Sequence, residues 1–257
     1  MSRSVLSRRA FLTAATASIA VLPGSAEAGT LVVPPLVIAS EDYPPYAFNF
    51  RGHRKGYDVD KVTMVLDELR LRPVHRSMTR TGIFGGLDEA TVDLGFPFTQ
   101  TPLRTQKYLL VGPLHTNRFV LAMRSADAKG PLTYASLAGL RVGVTDRHRY
   151  PPEFDALENI TRISSTSLTS ALRRLGYGRV DAVIGDRSAM EAIVQAEGLE
   201  HQLTVSTSVL AAGPAFVLFP KSRAALAQAF GDALHRLDAA SRFKEIDARY
   251  PMVEPPK

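Results

Sequence analysis

The sequence predicts an α/β protein built from two similar, doubly wound lobes joined by a two-segment hinge. Three observations point there. Apolar runs of strand length alternate with amphipathic stretches of helical period. A short helix followed by Val-Asp and an apolar run occurs twice, at Val92-Asp93 and at Val180-Asp181. Two extended segments, near residues 118–124 and 209–215, are spaced so as to cross between the lobes.

Taken in order, Leu36-Val37-Ile38-Ala39 reads as a buried strand, and Asp58 to Leu69 as a helix with Val59, Val62, Val65, Leu66 and Leu69 on one face. Pro73 to Ser77 gives a second strand, Ile83 to Ala90 a helix, and Val92 to Phe98 a third strand. After the apolar run Phe119 to Met123 the pattern restarts. Leu140 to Val144 is a strand, Ser167 to Leu175 a helix, Val180 to Ile184 a strand, and Arg187 to Gln195 a helix. Phe216 to Phe219 adds one more strand, followed by a long helix from Ala224 to Ala239. Residues 29–119 and 214–257 then form one lobe, and 120–213 the other. Paired crossings make a hinge, and a hinge between lobes makes a cleft that can close on a ligand.

Composition narrows the function. The 257 residues are 45% hydrophobic and 22% charged, a globular balance that excludes disorder, collagen and coiled coil. With no cysteine there is no disulfide, thiolate nucleophile or cysteine-ligated metal site, and the six histidines form no ligand-like pair. No metal and no cofactor is expected. The net charge of +6 is interspersed with acids rather than gathered into a stripe, which speaks against nucleic-acid binding.

The N-terminus reads as an address. Ser7-Arg8-Arg9-Ala10-Phe11-Leu12, an apolar run to Leu22 and Ala26-Glu27-Ala28 have the order of a twin-arginine export signal spanning residues 1–28. The run is too short for a membrane span, which takes ~20 apolar residues, so the expected product is not membrane-embedded; it is expected in the periplasm as a monomer.

Two residues stand out where open α/β sheets bind ligands, at the C-terminal ends of strands. Thr101 is a good N-cap and Pro102 a good first helical residue, which puts Arg104 in the first turn of a helix, where a guanidinium fork and orphan amides suit a carboxylate. Asp186 ends the matching strand of the second lobe, placed either to face a cationic group across the cleft or to cap the helix that begins at Arg187.

The order of motifs resembles an extracytoplasmic solute-binding protein of family 3, the amino-acid-type receptors of ABC importers. The resemblance runs from Leu36 to about Tyr250. It is carried by Tyr43-Pro44-Pro45-Tyr46, Gly56-Tyr57-Asp58-Val59-Asp60, Thr101-Pro102-Leu103-Arg104, Ser136 to Val144, and Gly178 to Asp186. It implies a periplasmic binding protein-like type II fold, a soluble receptor and not an enzyme, with an inner-membrane ABC permease as partner. It also implies that Arg104 binds an α-carboxylate, that Asp186 binds an α-amino group, and that Tyr43 forms the cleft wall while Tyr46 belongs to the core.

Departures from the family bear on the ligand. Arg80 stands where an aromatic usually stacks, and Pro97 has no N–H to give in a stretch that normally donates amides, leaving the hydroxyls of Thr99 and Thr101. Thr145-Asp146-Arg147-His148-Arg149 replaces a small Gly-Thr turn. Arg80 and Arg147 are therefore expected to meet a second anionic group, or else solvent. The leading expectation is capture of a small carboxylate-bearing solute, an amino acid or a relative of one. The alternatives are an accessory protein with an altered cleft, or a cyclohexadienyl dehydratase-like enzyme using Glu41 or Asp146 as its acid.

Overall fold

A computed structural model describes residues 35–146, 148–251 and 253. The expected export signal lies outside the described residues. Strand β1 (Leu36–Ser40) is followed by a hairpin of β2 (Phe48–Phe50) and β3 (His53–Lys55). Its two-residue turn places Arg51 and Gly52 at φ 51° and 81°, the left-handed geometry that matches strand twist. Then come α1 (Tyr57–Glu68), β4 (Pro73–Ser77), α2 (Arg80–Asp88), β5 (Leu94–Thr99), α3 (Pro102–Lys107) and the 17-residue strand β6 (Tyr108–Arg124). The second half holds β7 (Arg141–Thr145), α4 (Pro152–Asp155), β8 (Thr161–Ser165), α5 (Leu168–Gly176), β9 (Ala182–Asp186), α6 (Arg187–Ala196) and β10 (Leu203–Val205). The chain returns through β11 (Ala211–Pro220) to α7 (Ala224–Ala239) and α8 (Lys244–Arg249).

The sheet runs β4-β1-β5-β11-β6-β9-β7-β8, with β10 on β6. Within each half the strands at the outer end are parallel, and β6 and β11 are antiparallel to their neighbours. Period-2 alternation buries both faces. Val37 and Ala39 of β1 enter one cluster and Ile38 another, while Phe119, Leu121 and Met123 of β6 face away from Val120 and Ala122.

The repeated Val-Asp has a structural cause. Asp93 donates its amide to Val37 O at 2.8 Å and accepts the Val37 amide on Oδ2 at 2.7 Å. Asp181 does the same to Arg141, at 2.8 and 2.9 Å. Each aspartate thus pins the first strand of its half to the strand it precedes. The helices that follow the strand ends are capped alike: Thr79, Thr101, Ser167 and Asp186 accept amides from Gly82, Arg104, Ser170 and Ala189 at 3.0–3.2 Å.

The structure extends two readings. The apolar pattern marks only Phe119 to Met123 as strand, whereas β6 begins at Tyr108 and pairs with β11 from Tyr108↔Pro220 to Phe119↔Ala211 before passing to β9. Its middle, His115-Thr116-Asn117-Arg118, is polar because His115 and Asn117 join a buried polar network instead of an apolar face. The crossings are therefore sheet strands themselves, and hydrogen bonding runs on from one half into the other. Edge strand β8 was not legible because Thr161-Arg162-Ile163-Ser164-Ser165 offers one apolar side chain. Among the described residues, no helix is long and apolar enough to cross a membrane.

Candidate functional site

A cleft of about 540 Å³ opens where the parallel strands of both halves end. From the first half it takes Glu41 and Tyr43 after β1, and Met78, Thr79 and Arg80 at the start of α2. The second half supplies Thr145, Asp146 and His148 after β7, and Ser167 and Leu168 at the start of α5. The hairpin steadies the loop after β1, since Arg54 donates to Ser40 Oγ at 2.6 Å and Glu41 O at 2.9 Å and ion-pairs with Asp42.

Arg104 shares the Phe98 ring with Arg80, which lines this cleft, but is not itself among the lining residues. Its Nη1 donates to Thr99 O at 2.7 Å and Thr99 Oγ1 at 2.9 Å, and its guanidinium carbon sits 5.3 Å from the ring centres of both Phe84 and Phe98. The residue is 6% exposed, and among the described residues no carboxylate lies within ion-pair distance of it. Burial first, then the fields of Arg80 and Arg149, lower its pKa to about 10. Thr99, Thr101 and Arg104 are thus brought together, Thr101 by capping α3 and Thr99 by holding the guanidinium.

Arg80 shares the platform at 5.5 Å from the Phe98 ring, and is paired with Glu41: its Nε donates to Oε2 at 3.3 Å and its Nη2 to Oε1. Pro97 is buried in β5 beside this platform. The ladder to β11 shifts register there, between Phe216↔Phe98 and Leu218↔Gly95, so no partner strand requires an N–H from proline.

Tyr43 is 9% exposed, lines the cleft and stacks on Tyr46 at 5.6 Å. His148 reaches toward it from the other half at 6.4 Å, packed against Phe119 and Tyr150. Burial, reinforced by Arg80 and Arg104, holds the His148 pKa well below its ordinary value, which keeps the ring neutral. Tyr46 is buried and stacks on His115 at 3.8 Å, whose Nδ1 lies 2.8 Å from Asp58 Oδ1 and whose Nε2 lies 3.2 Å from Asn117 Oδ1.

Asp186 is 1% exposed and stands at the base of this network, not on the cleft surface. Its Oδ1 accepts from Tyr46 Oη at 2.8 Å and Ala189 N at 3.0 Å, and its Oδ2 from Arg118 N at 2.8 Å. Burial raises its pKa, against the opposing pull of His115 and the two amides. Arg147 falls outside the described residues.

Sequence reasoning did not single out His148 or the Phe84–Phe98 platform, and did not pair Glu41 with Arg80. The only available signals were the basic cluster at residues 147–149 and the two phenylalanines flanking the Val92-Asp93 echo. Neither specifies a contact across so many residues. Among the described residues, no group of three or more His, Asp or Glu side chains is placed to hold a metal ion.

The sequence pattern of the bacterial extracellular solute-binding proteins, family 3, matches residues 36–253. No curated protein matches the sequence. Among solved structures, a variant of ArgBP from T. maritima superposes with a TM-score of 0.75 at 23% identity, covering 84% of this chain and 94% of that one. A histidine kinase sensor domain with similarity to periplasmic binding proteins gives 0.78 at 20% identity, over 86% and 98%. GshT of Streptococcus mutans, described for glutathione import, gives 0.74 at 20% identity, over 85% and 95%. At these identities the likenesses establish the fold.

Proposed function

The chain belongs to the bacterial extracellular solute-binding proteins of family 3, and from that premise we propose that it captures a small carboxylate-bearing solute for an ABC importer of the inner membrane. The observation that carries the reading is Arg104, a guanidinium 6% exposed with no carboxylate in ion-pair reach among the described residues. A buried charge is costly unless paired, so a site of this kind favours an anion brought in from outside. Thr99 and the cap from Thr101 fix the fork, leaving Nη2 and Nε for a carboxylate. Tyr43 provides an apolar wall, and Arg147 and the Glu41-paired Arg80 are assigned to the far end of the solute.

Residues 29–119 with 214–257 and residues 120–213 act as two lobes in this reading, hinged where β6 and β11 cross. Asp186 is assigned a role at the cationic or hydroxyl side of the solute. With its oxygens taken by Tyr46, Arg118 and Ala189, it exerts that role by holding Tyr46, and through it Tyr43, in place. We place the receptor in the periplasm, delivered by the twin-arginine signal.

The test is native mass spectrometry of protein purified from its periplasm without refolding, followed by identification of the released metabolite. A stoichiometric carboxylate-bearing solute that Arg104→Ala no longer retains is the expected result. Full retention by Arg104→Ala would overturn the assignment.

A further inference from the structure

The cleft carries a counter-ion of its own. Glu41 gives both carboxylate oxygens to Arg80, and the two side chains, 22% and 11% exposed, line the same cavity. Arg104, on the same Phe98 ring, has no such internal partner among the described residues. The platform thus presents two guanidinium groups and one built-in carboxylate. A solute with one anionic group can neutralise Arg104 and leave the Arg80–Glu41 pair intact. A second anionic group drawn to Arg80 meets Glu41, which holds its Nε and Nη2, as a like charge beside it, with Asp146 also on the lining and Asp42 held by Arg54.

We propose that Glu41 is a specificity-determining residue: by occupying Arg80 from within, it limits the cleft to solutes bearing a single anionic group, and its neutralisation turns Arg80 into a second clamp for dianions. The proposal rests on the reading of the cleft as a solute site.

The test compares wild type, Glu41→Gln, and the Glu41→Gln/Arg80→Gln double variant. Calorimetry with glutamine and glutamate, near-isosteres that differ by one charge, gives the ratio of their dissociation constants. The thermal midpoint in acetate and in succinate at matched ionic strength gives the same comparison without any cognate ligand. Glu41→Gln should shift the ratio at least tenfold toward glutamate and gain a concentration-dependent rise of the midpoint in succinate. Removing Arg80 as well should abolish both gains. An unchanged ratio, or no gain in succinate where neither amino acid binds wild type, overturns the proposal, as does a wild-type preference for glutamate. An Arg104→Ala protein that still holds glutamine would instead overturn the solute site, while the succinate comparison between wild type and Glu41→Gln still decides the role of Glu41.

Discussion

Replacing Arg104 by methionine exchanges a buried charge for an unbranched apolar side chain of similar length. In the folded protein, burial and the fields of two neighbouring guanidinium groups pull its pKa down to about 10. The charged form is thereby disfavoured by about 3 kcal/mol. Methionine forfeits the two bonds to Thr99, ~1 kcal/mol each, although Thr99 is only half-buried and can turn to water. The empty variant should therefore be more stable than wild type by about 1–2 kcal/mol, a few degrees in melting temperature. Because the folded pKa is depressed, the charge penalty is present in full below pH 10 and is relieved only as pH rises above it. The gain should thus be constant between pH 6 and pH 9. The same change removes a charge-assisted clamp of about 3–5 kcal/mol, so Kd for the native solute should rise at least ~100-fold. Differential scanning calorimetry of the empty protein and titration calorimetry with the solute measure the two effects. An empty Arg104→Met protein that melts below wild type would show that the guanidinium is already balanced within the fold, and would refute the assignment of a missing counter-charge.

Asp186→Ala removes the α6 cap and leaves Tyr46 Oη and the Arg118 amide without their acceptor, so urea unfolding should show a loss of about 2–4 kcal/mol. Burial and the nearby Arg54 lower the His75 pKa from 6.5 to about 4, so the unfolded chain binds a proton that the fold refuses. Stability should therefore fall as pH drops from 6.5 toward 4, and a His75→Gln protein should show a shallower fall in melting temperature over that window. Gly56 adopts φ 132°, and a Cβ there would meet Tyr46 O at 2.3 Å. Gly56→Ala should cost about 2–4 kcal/mol in chemical denaturation and loosen the Tyr43–Tyr46 turn; an alanine variant as stable as wild type would contradict the close approach.

The order of strands and helices was legible because their signals are local. The long helix α7 spans the residues its apolar period marks, and Thr101-Pro102 announces α3 through a cap and a proline that need no distant partner. What escaped depends on contacts between remote segments. The polar middle of β6 looks like loop until Asp58, Tyr46 and Asp186 are brought beside it. The pairing of Arg80 with Glu41 escaped because nothing local couples the two residues. Arg104 was placed by its cap and strand end, whereas its enclosure by Phe84 and Phe98 comes from packing across α2 and β5. Asp186 carried two readings in the sequence, and the cap on α6 is among the contacts seen in the fold.

Strand β11 lies between β5 and β6 in the middle of the sheet, yet it is the last of the described strands to be synthesised. Strands β7, β8 and β9 and the end of β6 are complete once Asp186 has emerged, and they can begin to pair among themselves. The half that holds Arg104 can pair β4, β1 and β5 but cannot close, because β5 and the start of β6 have no ladder between them until residues 211–220 arrive. Long sequence separations of this kind slow folding, since loop closure precedes the contacts that reward it. The first half of the sheet should thus close late, with Arg104 enclosed only after residues 211–220 have left the ribosome.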